Sequence, residues 1–310
     1  MTAVTVGFLL HAGIERLRMA GSDSPRLDAE LLLGHALRVD RTALIAHSDA
    51  PVGADAGAAF EAALIRRIAG EPVAYIRGFK EFHGLALSTD ARALIPRPET
   101  EVLVDLVVAA IVERLTAAPR PEGTPALRVI DVGTGAGTIA VAVAAELRRR
   151  RMVDEVSLIA SDTSPDALQL ARENAVGHGV ADRIQFQLGD LVPWDATLFE
   201  IVAANLPYVP TADIAGLPVA ASFEPLMALD GGPDGLAVIR LLLAQLPRVL
   251  RPGGAAFLEI GWDQGPAVTA ATVELAPGWQ ATIVPDLAGL DRVAWIERGS
   301  VAPGSAAHAG

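Results

Sequence analysis

The chain has 310 residues, 51% of them apolar, and no cysteine. That is enough for a large buried core beside a smaller domain, and it excludes a disulfide framework or a thiolate nucleophile. The formal net charge of −12 argues against affinity gained by neutralising phosphates, which needs clustered Lys and Arg.

Residues 1–13 lack a charged segment followed by an apolar run and a small-residue cleavage site, so they read as the start of a helix, not a signal peptide. Apolar positions then recur at helical spacing: Leu9, Leu10, Ile14 and Leu17, then Leu27, Leu31 and Leu32, then Phe60, Leu64, Ile65 and Ile68. Ser24 before Pro25 predicts an N-cap and a first helical residue. Asp49-Ala-Pro-Val-Gly-Ala-Asp marks a loop. Residues 1–70 are therefore expected to form a small helical domain. From Pro72 the pattern changes. Val73, Tyr75 and Ile76, then Phe79, Phe82, Leu85 and Leu87, suggest short strands with a turn near Gly84. Residues 71–97 read as a hairpin linking two domains.

A helix is expected from Thr100. Its apolar run at 102–112 is broken by Asp105 and is too short to span a bilayer, which takes about 20 residues. Residues 117–125, rich in Pro and Ala, read as a surface loop. Strands and helices then alternate. Strands are expected at 127–132, 156–160, 184–188, 198–204, 255–260, 281–284 and 292–297, and helices at 138–151, 165–175, 236–250 and near 267–275. Ser164 should cap the second of these helices, and Pro252-Gly-Gly should stop the third. Alternation of this kind predicts an open parallel sheet covered on both faces. Residues 98–299 would form this α/β domain. Residues 300–310, small and polar, are expected to be disordered.

Val129-Ile-Asp-Val-Gly-Thr-Gly-Ala-Gly-Thr follows a strand and opens a helix. Glycines at 133, 135 and 137 let the backbone approach a ligand without Cβ clashes. A dinucleotide fingerprint would want Gly or Ala where Thr138 stands. The spacing, led by Asp131, resembles instead motif I of class I S-adenosylmethionine methyltransferases. With that cofactor, Asp162, just past the second strand, could accept hydrogen bonds from both ribose hydroxyls. Asp190 could accept from the adenine amino group, with Leu191 packed beside the ring. A loop or N-cap aspartate is the plain alternative for each.

Asn205-Leu-Pro-Tyr ends the fourth strand and resembles the (Asn/Asp/Ser)-x-Pro-aromatic motif of methyltransferases acting on planar nitrogen. The Asn205 side-chain carbonyl and a backbone carbonyl near Leu206 or Pro207 could accept the two N–H donors of an amide. Tyr208 would supply a flat face. Oriented carbonyl dipoles would stabilise the positive charge developing on nitrogen, and positioning would do much of the work. The plain alternative is a strand-end turn, where Asn and Pro are common.

Taken with further blocks, the chain resembles the bacterial release factor glutamine methyltransferases (PrmC or HemK). The blocks are Glu71-Pro-Val-Ala-Tyr-Ile-Arg-Gly, Lys80-Glu-Phe-His-Gly-Leu, Leu94-Ile-Pro-Arg-Pro-Glu-Thr-Glu, Asp162-Thr-Ser-Pro-Asp-Ala-Leu and Ala171-Arg-Glu-Asn-Ala. Phe223-Glu-Pro, Ala228-Leu-Asp-Gly-Gly-Pro-Asp-Gly-Leu, Leu258-Glu-Ile-Gly and Asp286-Leu-Ala-Gly-Leu-Asp-Arg-Val complete them. The resemblance implies a class I (Rossmann-like) domain with a seven-stranded, mostly parallel sheet, and a small N-terminal helical domain joined by a β-hairpin. It implies S-adenosylmethionine as cofactor, no metal, a cytoplasmic enzyme, and methyl transfer to the glutamine of the Gly-Gly-Gln motif in class 1 release factors. Gly133, Thr134, Gly135, Ala136, Gly137, Asp162, Asp190, Leu191, Asn205 and Phe82 would hold the cofactor. Asn205, Leu206, Pro207, Tyr208 and Glu99 would hold the glutamine, with Asn205, Pro207 and Tyr208 catalytic.

One departure stands out: the family usually reads Asn-Pro-Pro-Tyr, and Leu206 replaces the first Pro. Asn-Leu-Pro-Tyr resembles the form in adenine-N6 methyltransferases of ribosomal RNA. An exocyclic-amine methyltransferase of RNA or DNA, a glutamine methyltransferase of a ribosomal protein, and a non-catalytic cofactor-binding protein are the other readings. Neither direct nucleic-acid binding nor a membrane is expected.

Overall fold

The computed structural model describes residues 4–117, 124–192 and 198–299; the surface loop expected at 117–125 lies mostly, and the tail at 300–310 wholly, outside them. The first helices are α1 (Val6–Met19), α2 (Pro25–Leu37), α3 (Arg41–Ala46) and α4 (Ala54–Ile68). Thr5 caps α1 by accepting the Phe8 N–H, and Asp40 caps α3 by accepting the Ala43 N–H. Ser24 stands at the N-cap of α2, but its hydroxyl donates to the Asp28 carboxylate at 2.9 Å. Leu17, Leu32, Leu33, Leu44, Phe60 and Leu64 form the core of these helices. Gly13 lets α1 close on α4, since a Cβ there would lie 2.8 Å from the Phe60 ring.

Val73–Arg77 is a short helix, α5, where the sequence suggested a strand. Five residues cannot separate the two periodicities. Val73 and Ile76, three apart, pack on the helical core, and the Tyr75 hydroxyl donates to the Ala93 carbonyl at 2.9 Å. The hairpin follows as β1 (Phe79–Phe82) and β2 (Leu85–Ser88), with Phe82 paired to Leu85. Its His83-Gly84 turn has φ of 49° and 74°, as a two-residue hairpin loop with right-handed strand twist requires.

The second domain comprises α6 (Thr100–Thr116), β3 (Leu127–Val132), α7 (Thr138–Arg149), β4 (Val156–Asp162), α8 (Pro165–Gly177), β5 (Ile184–Leu188), β6 (Phe199–Ala204), α9 (Ala237–Val249), β7 (Leu250–Glu259), α10 (Gly265–Leu275), β8 (Trp279–Pro285) and β9 (Asp291–Arg298). Ser164 caps α8 by accepting the Ala167 N–H. The sheet order is β5-β4-β3-β6-β7-β9-β8, and β9 runs against its two neighbours while the other pairings are parallel. The sheet is thus seven-stranded and mostly parallel, as expected. Val129, Ile201, Ala203 and Phe257 pack with α6 and α7 on one face. Ile130, Val132, Val202 and Leu258 pack with α9 on the other. Both faces are buried, which is why these strands read as unbroken apolar runs. Pro252-Gly253-Gly254 does not stop a helix. Val249 already ends α9, and the triplet lies in the first part of β7, where the register with β6 shifts.

From β3 the chain runs outward through β4 and β5, then returns to place β6 on the other side of β3. Such a reversal opens a crevice at the carboxyl ends of the strands, where ligands of open α/β sheets bind.

Candidate active site

The crevice holds a cavity of about 280 Å3 at the ends of β3, β4 and β6. The loop after β3 forms its floor. Gly133 and Thr134 donate their N–H groups to the Ser161 carbonyl, both at 2.9 Å, and Gly135 donates to Asp162 Oδ2 at 2.8 Å. Gly133, Gly135 and Gly137 have φ of 70°, 55° and 80°, the region that favours glycine. They do different work. A Cβ on Gly135 would meet only Ala93, at 3.9 Å, so this glycine bares the backbone to the cavity. A Cβ on Gly137 would press on Ala171 at 3.1 Å, so that glycine lets α7 pack against α8; it does not line the cavity.

Asp131, beneath the loop, is 1% exposed. Its Oδ2 accepts from the Thr134 hydroxyl at 2.6 Å and the Ala140 N–H at 3.0 Å. Burial pushes its pKa up to about 7, Thr134 and Ala140 pull it down, and Asp162 pushes it up. Its Oδ1 has no hydrogen-bond partner among the described residues. Asp162 is half-buried and lines the cavity. Its Oδ1 takes the Ser164 N–H at 2.9 Å while Oδ2 takes Gly135. Each carboxylate oxygen can accept again. Asp190 is exposed at the rim, and Leu191 is buried beside it with a left-handed φ of 54°. The Ser161 hydroxyl donates to the Leu191 carbonyl at 2.9 Å and holds that turn.

Asn205, Leu206 and Pro207 line the opposite wall. Asn205 Nδ2 donates to Thr100 Oγ1 at 3.1 Å, and Asn205 Oδ1 has no hydrogen bond among the described residues. Leu206 is 6% exposed, and its Cδ2 would lie 3.0 Å from a Cβ on Gly133. Its side chain therefore packs the Asn205 turn onto the glycine loop. The segment after Tyr208 is locked in place. Gln264 Nε2 donates to the Tyr208 carbonyl at 2.9 Å, Val209 donates to the Leu229 carbonyl at 3.0 Å, and Gly231 donates to the Val209 carbonyl at 2.8 Å. A side chain on Gly235 would collide with the Tyr208 carbonyl, one on Gly231 with the Gly235 backbone and one on Gly232 with Ala237, which accounts for the three glycines of the Asp230-Gly-Gly-Pro-Asp-Gly block.

Besides Gly137, three expected site residues stand elsewhere. Phe82 is 1% exposed in the core with Leu87 and Leu103, away from the cavity lining. The hairpin directs it inward, so cofactor contact through Phe82 is not supported. Glu99, at the N-terminus of α6, is exposed and also outside the lining. Tyr208 lies behind the wall, with its hydroxyl 3.3 Å from Glu259 Oε1. Burial raises its pKa, as does the neighbouring Glu259 carboxylate.

The sequence did not single out the strap that covers the cavity. Residues 92–97 and Thr100 line it, as do Pro225 and Met227. Glu224 ties the strap down, accepting the Ile95 N–H at 2.9 Å and an Arg97 Nη2 hydrogen at 2.6 Å. The signal available was the pair of blocks Leu94-Ile-Pro-Arg and Phe223-Glu-Pro, which carry no chemistry until they meet. The cavity's two cations are already paired, Arg97 with Glu224 and Arg92 with Asp90 and Glu173. The groups left for a ligand are carboxylates, carbonyls and bare glycine backbone. That set suits a cationic nucleoside with hydroxyl and amino donors better than a pyrophosphate.

Residues 9–78 match the PrmC N-terminal domain and residues 124–272 a methyltransferase domain. The release factor glutamine methyltransferase of Moorella thermoacetica is 39% identical over 290 residues, covering 93% of this chain and 97% of that one. The protein of the same name from Deinococcus radiodurans is 39% identical over 284 residues, covering 92% and 95%. Among solved structures, the hMettl16 catalytic domain in complex with MAT2A 3′UTR hairpin 6 superposes with a TM-score of 0.51 at 16% identity, covering 72% of this chain and 78% of that one. At that identity the likeness concerns the fold alone.

Proposed function

The chain belongs to the release factor glutamine methyltransferases, which are S-adenosylmethionine-dependent enzymes, and we propose that the atom it methylates is the side-chain amide nitrogen of the glutamine in the Gly-Gly-Gln motif of a class 1 release factor. The observation that carries this reading is Asn205. It stands in the cavity wall, tethered through Nδ2 to Thr100, with Oδ1 left for a donor.

S-adenosylmethionine supplies an electrophilic methyl group carried on a sulfonium sulfur. Gly133, Thr134, Gly135 and Ala136 would hold it, with Asp162 taking the ribose hydroxyls and Asp190 and Leu191 the adenine. An amide nitrogen is a poor nucleophile because its lone pair is delocalised into the carbonyl. Asn205 Oδ1 would accept one of its N–H groups and a backbone carbonyl at Leu206 or Pro207 the other. Two acceptors fix the nitrogen and stabilise the positive charge it gains as it is methylated. Tyr208, drawn back toward Glu259, braces the turn that carries these acceptors in place of offering a flat face.

The helical domain, residues 1–70, would dock the release factor, with 71–97 as linker and 98–299 as catalytic domain. No described helix is long and apolar enough to cross a membrane. A cytoplasmic site of action without direct nucleic-acid contact follows from the protein substrate proposed. The test is mass spectrometry of a purified class 1 release factor after incubation with the protein and S-adenosylmethionine. One methyl group on the Gly-Gly-Gln glutamine is the expected result. An unmodified release factor, with the cofactor shown to bind, would overturn it and direct the assay to ribosomal proteins and ribosomal RNA.

A further inference from the structure

Gln264 is 8% exposed, stands outside the cavity lining and has no part in the reaction above. It is the residue before α10, and its side-chain amide joins two turns. Oε1 accepts the Gly261 N–H at 2.8 Å, and Nε2 donates to the Tyr208 carbonyl at 2.9 Å. Two glycines make room for that amide. A Cβ on Gly261 would lie 3.0 Å from Oε1, and one on Gly235 would lie 2.6 Å from Nε2. We propose that Gln264 is a positioning residue that, through the Tyr208 carbonyl, fixes the direction of the backbone acceptor in the turn at 205–208; the inference rests on the role given to that turn above.

The acceptor that works beside Asn205 Oδ1 is a backbone carbonyl at Leu206 or Pro207. On the near side of the turn the Pro207 ring locks φ. On the far side the Tyr208–Val209 peptide is held at both its polar atoms. Its oxygen takes the Gln264 hydrogen, and its N–H donates to the Leu229 carbonyl at 3.0 Å. The peptide between, which bears the Pro207 carbonyl, is therefore steadied from both sides. Without Gln264 the far peptide keeps one bond and can rock about it. The task needs an amide. Gly261 offers a donor and Tyr208 an acceptor, so one end of the side chain must accept while the other donates, and a carboxylate only accepts. The Leu258-Glu-Ile-Gly block, the Asp230-to-Gly235 block and the turn at 205–208 thus meet on one side chain. Several ionisable groups surround it. Asp263 precedes it, and Asp291 of β9 lies against Gly265. Asp234, paired with Arg240, precedes Gly235. Glu259 of β7 and Arg292 of β9 face Tyr208.

Gln264→Glu keeps the shape of the side chain and changes only its power to donate. Ionised, it sets one oxygen against the Tyr208 oxygen; protonated, its O–H donates as Nε2 does. Burial near Asp291 and Glu259 raises the pKa of the introduced carboxyl above the ordinary glutamate range. At about pH 8.5 its kcat on release factor should be at least tenfold below the parent, with the dissociation constant for S-adenosylmethionine and the KM for release factor within about twofold. As the pH falls to about 5.5, the ratio of variant to parent kcat should climb at least fivefold. Gln264→Leu, which donates at no pH, should show the loss with a flat ratio. A kcat within twofold of the parent in Gln264→Leu, or a loss in Gln264→Glu that ignores pH, would overturn the proposal. A second measurement needs neither substrate nor turnover. The Val209 N–H shares its peptide unit with the Tyr208 carbonyl, so its hydrogen exchange in the cofactor-bound protein should be at least tenfold faster in Gln264→Leu than in the parent. Equal exchange in the folded variant would also overturn the proposal. A parent inactive on release factor whose Val209 exchange behaved as expected would count against the substrate assignment alone.

Discussion

Glu224 accepts the backbone N–H of Ile95 at 2.9 Å, joining two chain segments 129 residues apart over the mouth of the cavity. Its other oxygen holds Arg97 at 2.6 Å, and its side chain is 2% exposed. Charge-assisted hydrogen bonds of this kind contribute roughly 1.5–3 kcal/mol. This one carboxylate satisfies a backbone and a side-chain donor of the strap at 92–97 and so ties down its C-terminal half. Glu224→Ala should loosen the strap and raise the dissociation constant for S-adenosylmethionine about tenfold by titration calorimetry. A folded variant with parental affinity would mean that the strap is held by Tyr75 and Arg92 without Glu224.

Asp162 accepts from Gly135 and from Ser164, one hydrogen bond to each oxygen. It therefore shapes the glycine loop as well as facing the ligand. Asp162→Ala should weaken cofactor binding by ~10–100-fold, the range expected for lost hydrogen bonds to a charged group. Calorimetry would check it. Affinity within twofold of the parent would remove Asp162 from the binding set.

How much of this was legible in the sequence follows the reach of each signal. The glycine loop and Asn205 could be read because their requirements are local. A strand must turn sharply into a helix at Gly133 to Gly137, and an amide must sit at the end of β6. Val73–Arg77 could not be read, because five residues carry too little periodicity to separate a helix from a strand. Phe82 and Glu99 were placed by their blocks, and a block does not say which way a side chain points. Tyr208 shares a four-residue motif with Asn205, yet its hydroxyl turns away to a strand 51 residues later. Glu224 and Thr100 act across 105 or more residues, so their roles emerge only when the sheet order brings the segments together.

Asn205→Ala separates binding from chemistry. The Asn205 tether runs to Thr100, not to the glycine loop, so cofactor affinity should stay within about twofold. Turnover should fall by ~10²-fold or more, the usual effect of removing a preorganised group that stabilises developing charge. Single-turnover assays with saturating cofactor would measure it. Weakened cofactor binding with turnover retained would contradict the assignment.

Asp131 predicts a pH dependence with a definite sign. Its pKa is about 7 in the fold against an ordinary value of 3.8, so the folded protein holds this proton more tightly than the unfolded chain. The stabilisation is fully present below about pH 4 and is lost as pH rises through 7, because above that the native state must bury a charge. Across that window the difference is of order 4 kcal/mol. Asp131→Asn keeps an acceptor for Thr134 and Ala140 but cannot ionise. Other carboxylates also titrate in this window, so the informative quantity is the difference between parent and variant. Denaturant unfolding of the cofactor-free proteins should show Asp131→Asn gaining on the parent steadily from pH 4 to 7.5, with no further gain at higher pH. A difference that stayed flat over the whole range would mean that Asp131 is ionised throughout and that the Thr134 and Ala140 hydrogen bonds outweigh its burial.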